Sequence, residues 1–319
     1  MSGNYFSEKL YYEKNRSNGA GCYNGNISQS DVRYHAGNHN ASLALGLNSA
    51  GTLLQFDYTY DNLNRLHLAR TNDSYVRFTE ELDYDRQGNI SSLNRCGIYT
   101  HGWSNTYTPN HTLQPIDNLI YTYEGNRISA IRDNASNYDA TYTGAQDFHG
   151  GSGQQSGEYN YDNNGNLFSD FNKGLATIKY NILNLPDTVQ HVNGHLLSNS
   201  YDATGDKFLA IHRTMNGSGV SMQAGWTYYN YPTGYTIASS TSRMYLDNSE
   251  YYSYNLDKIL TDDGILVRTN DYSATTPVMG TNYFIRDHLG NVRVVFGDSG
   301  SIRQVNNYYP FGMEYGEFR

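Results

Sequence analysis

Along much of the chain, aromatic or aliphatic residues alternate with polar ones and then stop at a short polar turn. Tyr58 and Tyr60, Leu82 and Tyr84, Tyr121 and Tyr123, and Tyr159 and Tyr161 each stand two apart just before such a turn. A period of two puts both side chains on one face of a strand. Asp or Asn follows the last Tyr in most copies, and Gly or Asn stands four positions after that Tyr. These residues tolerate positive φ and close the backbone through their own side chains. A second alternating run follows: Leu66 and Leu68, Ile90 and Ser92, Leu167 and Ser169. The pattern predicts strand, turn and strand, that is, a hairpin. Residues 259–268 (ILTDDGILVR) and 292–305 (VRVVFGDSGSIRQV) predict two more hairpins. No segment sustains a 3.6-residue apolar pattern with caps, so little helix is expected.

The turns repeat. YDRQGNI starts at Tyr84, YDNNGNL at Tyr161 and YDATGDK at Tyr201, with the variants YDNLNRL at Tyr60 and YNILNLP at Tyr180. Shorter forms start at Tyr23 (YNGNI) and Tyr123 (YEGNRI). The unit is about 20 residues, sometimes doubled by an inserted loop. Segments 101–118, 144–157 and 214–225 lack alternation and are expected to be such loops. Successive antiparallel hairpins of this kind predict an all-β chain forming one long, twisted, curved sheet.

Composition sharpens this reading. Of 319 residues, 32 are Tyr, 31 Gly and 37 Asn, while Leu, Ile, Val and Phe make up about a fifth. So few aliphatics would suggest disorder, but only 17% of residues are charged and each Tyr ring can bury on the order of 150–200 Å². A helical bundle is excluded, because it needs runs of Ala, Leu, Glu and Lys. No stretch approaches the ~18 apolar residues of a membrane-spanning helix. The start, MSGNYFSEKL, lacks the features of a signal peptide. Cys22 and Cys96, the only two cysteines, cannot make a disulfide framework. A net charge of −9 argues against nucleic acid as a partner.

The spaced Tyr-Asp-x-x-Gly-Asn motifs resemble the YD repeats of bacterial RHS-type proteins, a family related to teneurins and insecticidal toxin complexes. Residues 282–313 (NYFIRDHLGNVRVVFGDSGSIRQVNNYYPFGM) resemble the start of the RHS repeat-associated core. There an aromatic pair leads into Asp287, His288, Leu289, Gly290 and Asn291, and a strand pair leads to Tyr309, Pro310, Phe311 and Gly312. The resemblance divides the chain into a repeat region, 1–281, and a truncated core start, 282–319. It implies a spiral β-shell that encloses or presents a C-terminal toxin or other payload in a secreted or cell-surface polymorphic toxin. The family's self-cleavage site contains Asp-Pro, which occurs nowhere in this sequence. The expectation is therefore a segment of a larger RHS-type polypeptide, whose remaining parts or payload would be its partners. With the family's later strands absent, the apolar strand pair 292–305 is expected to leave an open sheet edge that favours self-association.

Asp61, Asp85, Asp162 and Asp202 read as turn caps. Counting from Asp162, a calcium loop would need Gly sixth and Glu twelfth, but Gly165 falls fourth and Lys173 twelfth. His35 and His39, and His191 and His195, are spaced for a metal on a helix, yet Gly and Asn between them predict turns. Asp287 and His288 are adjacent on a strand, where side chains diverge, so an acid–imidazole relay is not expected. Gly150, Gly151 and Gly153 lack the Lys of a phosphate loop. No catalytic, cofactor-binding or metal-ligating residue is assigned. The alternative to a structural role is a Tyr- and Asn-rich surface that binds glycan or a cell-surface protein. A carbohydrate-active enzyme comes last, since no carboxylate pair stands out.

Overall fold

The computed structural model describes residues 5–14, 21–34, 53–71, 78–98, 113–135, 148, 158–216 and 236–318. Among them every regular element is a strand. The first sheet runs in chain order through β1 (Phe6–Tyr11), β2 (Gln29–Tyr34), β3 (Leu53–Tyr60), β4 (Leu66–Thr71), β5 (Thr79–Tyr84), β6 (Ile90–Ile98), β7 (Leu113–Glu124) and β8 (Arg127–Asp133). The second begins with β9 (Tyr159–Tyr161), β10 (Leu167–Asp170), β11 (Leu175–Tyr180), β12 (Pro186–His191), β13 (Leu196–Tyr201) and β14 (Lys207–Asn216). It continues through β15 (Thr236–Leu246), β16 (Ser249–Tyr252), β17 (Asn255–Thr261), β18 (Gly264–Arg268), β19 (Met279–Arg286), β20 (Val292–Gly297), β21 (Ile302–Tyr308) and β22 (Glu314–Phe318). Both are antiparallel meanders, and neither closes into a barrel. The all-β expectation holds, but the single continuous sheet is two.

Six of the turns share one construction. At Asp162 the backbone N–H donates to Asn166 O (2.9 Å), and Gly165 N–H donates back to Asp162 O (3.0 Å). The carboxylate Oδ1 accepts the N–H groups of Asn164 (2.9 Å) and Asn166 (2.8 Å), and Asn166 Nδ2 reaches Oδ2. Asp61, Asp85, Asn181, Asp202 and Asp287 accept the equivalent pair of N–H groups. One short side chain thus pairs two turn amides that the ladder cannot reach. The fourth residue is left-handed, and the register shifts where β3 meets β4, β5 meets β6, β9 meets β10 and β13 meets β14. This is the short hairpin loop that ends in a positive-φ residue and a bulge.

The left-handed position holds Gly165 (φ 87°) in one turn but Asn64 (φ 64°) and Asn184 (φ 62°) in two others. Gly165→Asn is therefore expected to be nearly neutral, and Gly165→Val to cost about 1–2 kcal/mol. Urea denaturation of the two variants checks this. Equal losses would mean that the turn does not demand positive φ.

The Tyr before each turn has a second task. The ladder between β4 and β5 ends at Leu68 and Glu81, short of the turns. Tyr84 Oη then donates to Leu66 O across the gap (2.7 Å). The same bond joins Tyr60 to Ile27 O (2.8 Å), Tyr161 to Ile128 O (3.0 Å), Tyr180 to Leu167 O (2.8 Å), Tyr201 to Pro186 O (2.9 Å) and Tyr308 to Val292 O (2.9 Å). Each acceptor lies just past the preceding turn, so one repeat's Tyr caps the carbonyl that its neighbour leaves unpaired. Burial pushes the Tyr84, Tyr161 and Tyr180 phenols up, and Tyr60 up to about 12, so these four remain donors at neutral pH.

Two expected loop bounds move. Residues 113–118, assigned to a loop, form the start of β7. The register passes from Arg95↔Asp117 to Cys96↔Pro115, so Ile116 is an extra, bulged residue that breaks the alternation. Residues 214–216 belong to β14, and what remains of the three loops lies outside the described residues apart from Phe148.

The chain divides into two compact units. The first holds residues 1–121, 132–148 and 283–319, and the second holds 122–131 and 149–282. In the first, Val32, Tyr34, Leu54 and Phe56 of β2 and β3 form one core with Val294, Val305 and Tyr309. This corrects the open apolar edge expected at 292–305. Val294 and Val305 are fully buried by β2 and β3, and β22 continues the sheet beyond β21. In the second unit, Ala176, Leu196, Ala210 and Met215 are buried together with polar Ser169, Asp170, Thr177, Gln190 and Asp257.

Candidate functional site

Residues 282–313, the segment with the motif-like stretches, bury four polar side chains, Asp287, Arg293, Asn306 and Asn307. Its two signature stretches are both turns of the repeat type. Asp287 caps Leu289 and Asn291, with Gly290 left-handed at φ 87°. Tyr309 and Met313 close the second, through Tyr309 N–H to Met313 O and Gly312 N–H to Tyr309 O, both 2.8 Å.

What sets the Asp287 turn apart is the burial of its arginine pair, since the Asp61 turn also takes Arg65 Nε at 2.6 Å but with both side chains about a quarter exposed. Asp287 Oδ2 accepts Arg293 Nε at 2.8 Å, with the carboxylate fully buried and the guanidinium nearly so. Burial opposes ionisation of Asp287, but hydrogen bonds from Asn291 and the Arg293 charge outweigh it and hold the carboxyl below its usual range. Beside the pair, Tyr34 Oη lies 2.9 Å from Asn306 O and 2.7 Å from Asn307 Oδ1, and burial pushes its pKa well up.

His288 points away from Asp287. Its ring Nδ1 and its backbone N–H each lie 3.1 Å from Glu8 Oε2 on β1. Asp287 and His288 stand in a turn past the end of β19, not on a strand, and the Asp287 carboxylate is taken up by the turn amides and Arg293 rather than by the imidazole. The imidazole instead ties the turn to a strand about 280 residues earlier. Glu8, Arg293, Tyr58, Tyr308 and Pro310 help line a recess of about 60 Å³. That volume admits water but is well below the ~300 Å³ of small-molecule sites.

The Tyr309 turn rests on β5 and β6. Tyr309 Oη donates to Cys96 O (3.0 Å), its ring meets Phe78 edge-on at 6.2 Å, and Arg95 Nη1 contacts Met313 Sδ. Arg95 Nε also lies 2.7 Å from Asp117 Oδ2. Glu80 lies in the same region, 1% exposed, and neither of its oxygens has a side-chain hydrogen-bond partner. Glu80 and Asp117 are both buried, so this pair of carboxylates does not flank an open cleft of the kind glycoside hydrolysis needs.

In the second unit, His191 and His195 bracket another repeat turn, with His191 in the Asp position. His191 N–H donates to His195 O (2.8 Å), and Asn193 N–H points at His191 Nδ1 (3.3 Å). His195 Nδ1 accepts Met215 N–H at 3.1 Å, which occupies the lone pair that a metal at that nitrogen would need. Burial, then the nearby His212 and His191, hold the His195 pKa down. Asp162 spends its carboxylate on the turn itself, and the Asn166 side-chain amide is shared between Asp162 and Asn184 of the next turn. His35, His39, Gly150, Gly151 and Gly153 lie outside the described residues. A charge network of Arg243, Glu250, Asp257 and Lys258, with Tyr272 Oη donating to Asp257, had no signature in the sequence.

No family model matches the chain, and no curated protein matches it. Among solved structures it is similar to the crystal structure of TcdB2-TccC3-TEV, with a TM-score of 0.38, 13% identity, and 97% of this chain and 17% of that one covered. For the crystal structure of TcdB2-TccC3-Cdc42 the values are 0.38, 14%, 98% and 17%. For that of TcdB2-TccC3 they are 0.33, 12%, 97% and 22%. The chain thus spans less than a quarter of the length of each.

Proposed function

We propose that this chain is a non-catalytic section of an RHS-type β-shell, which in a longer, secreted or cell-surface polypeptide surrounds or presents a C-terminal payload. The observation that carries this reading is the repeated clamp of Asp-capped turn and Tyr-capped carbonyl. It recurs with the same bonds at Asp287 and Tyr308, within the segment that resembles the core start. The residues that looked most like chemistry are thereby given a structural task, and each repeat is built to hold the next one. Such a strip can be extended in either direction by the same rule, as a wall requires. Partners under this reading are the neighbouring strands of the same polypeptide and the payload.

The in-frame coding sequence on either side of this segment tests the proposal. More Tyr-Asp turns upstream, and Tyr- and Gly-rich strands followed by an unrelated domain downstream, are expected. Flanks with no such repeats would contradict it. Turnover of glycoside, ester or peptide substrates by the purified chain would remove the non-catalytic part. Selective capture on a glycan array would favour the surface-binding alternative.

A further inference from the structure

Glu80 has no role in the repeat clamp. It sits on β5 in a fully buried position, and the groups facing it are few. Among the described residues Arg95 on β6 is the positive charge that acts on it, and on β7 Asp117 Oδ2 already lies 2.7 Å from Arg95 Nε. Asp117 is held further by Phe148 N–H (2.9 Å), and Asp133 on β8 adds another negative charge beside it. From the Tyr309–Met313 turn come the Phe311 backbone N–H and the Tyr309 ring, and on β5 itself the Tyr84 phenol is near. One guanidinium cannot neutralise two buried carboxylates, so a proton must take the place of the missing cation.

We propose that Glu80 is a proton-operated latch for the C-terminal segment: protonated, it lets the Tyr309–Met313 turn seat on β5–β7, and its ionisation loosens that turn. An ionised Glu80 would be an uncompensated buried charge, and lifting the turn is the shortest way to bring water to it. Burial pushes the Glu80 carboxyl up to about 7, against the opposing Arg95 charge and Phe311 N–H and with Asp117 reinforcing the rise. The folded-state value lies above the ordinary one. The contribution is therefore complete below about pH 4.3, the ordinary Glu value, and is lost as pH rises through about 7. The inference stands apart from the shell reading, since it concerns only how this chain holds its own turn.

The test is hydrogen exchange at Tyr309 and Gly312, whose N–H groups close the turn, in the full chain between pH 5.5 and 8.5, corrected for intrinsic exchange. Opening is expected to rise by up to about tenfold per pH unit below pH 7, the limit for one coupled proton, and to level off above it, where Glu80 is ionised whether the turn is closed or open. Glu80→Gln, which keeps the neutral shape, should abolish that slope and leave the turn closed throughout. A flat wild-type profile, or the same slope in Glu80→Gln, overturns the proposal. Should the variant not fold, carboxyl NMR of the wild type decides. Titration of Glu80 near pH 7 supports the latch, and titration at the ordinary Glu value removes it.

Discussion

Asp287→Ala is expected to lower stability by about 3 kcal/mol, more than alanine at any other repeat-turn Asp. It removes the cap on Leu289 and Asn291, as the change would at Asp85 or Asp162. It also strands Arg293, nearly buried beside Tyr34 and Tyr308, without its carboxylate. Breaking a buried ion pair from one side typically costs about 3–5 kcal/mol, because the remaining charge is left uncompensated. The lower end applies, since the turn lies at the rim of the sheet. Chemical denaturation beside Asp85→Ala measures the difference. Equal losses would show that Asp287 is only a turn cap and that Arg293 finds another partner. The double variant Asp287→Ala, Arg293→Met should recover part of the loss.

The second large effect belongs to the core that joins β2 and β3 to β20 and β21. Leu54 is 2% exposed and packs in the cluster that holds Val294, Val305 and Tyr309. Leu54→Ala should cost about 2–5 kcal/mol, from lost transfer energy and the cavity left behind. The location of the damage is the informative part. Hydrogen exchange should accelerate on β20 and β21 as well as on β3, although Leu54 is some 240 residues from Val294 in sequence. Acceleration on β3 alone would mean that the C-terminal strands are not seated on the N-terminal ones. The C-terminal strands would then be a loosely attached appendage.

Local bonds were legible in the sequence, and distant ones were not. The turn at Asp162 is written within five residues, because the cap, the left-handed glycine and the closing amides are all local. For that reason the hairpins and the all-β class could be read directly. The carbonyl that Tyr84 caps lies 18 residues away in the neighbouring repeat, so the Tyr was seen as a strand residue but not as a donor. β7 was missed at its start because bulged Ile116 breaks the period of two that identifies a strand. The cover over Val294 and Val305 comes from β2 and β3, which no spacing rule connects to the C-terminal segment. Glu8 and Glu80 carried no signal, since each takes its meaning from a partner brought near by the fold: His288 for one, Arg95 and the Tyr309 turn for the other.

The central claim is that the repeated Asp or Asn is a structural clamp that closes each turn and holds the sheet. Amide hydrogen exchange at the second and fourth positions after that residue tests it most directly. These are Leu63 and Arg65, Gln87 and Asn89, Asn164 and Asn166, Leu183 and Leu185, Thr204 and Asp206, and Leu289 and Asn291. Protection is expected at all six turns, approaching that of the adjoining strands even where the turn tip is exposed. Alanine at one capping residue is expected to remove protection from its own pair alone. Exchange of these amides at unfolded-chain rates, in a chain whose strands are protected, would contradict the clamp.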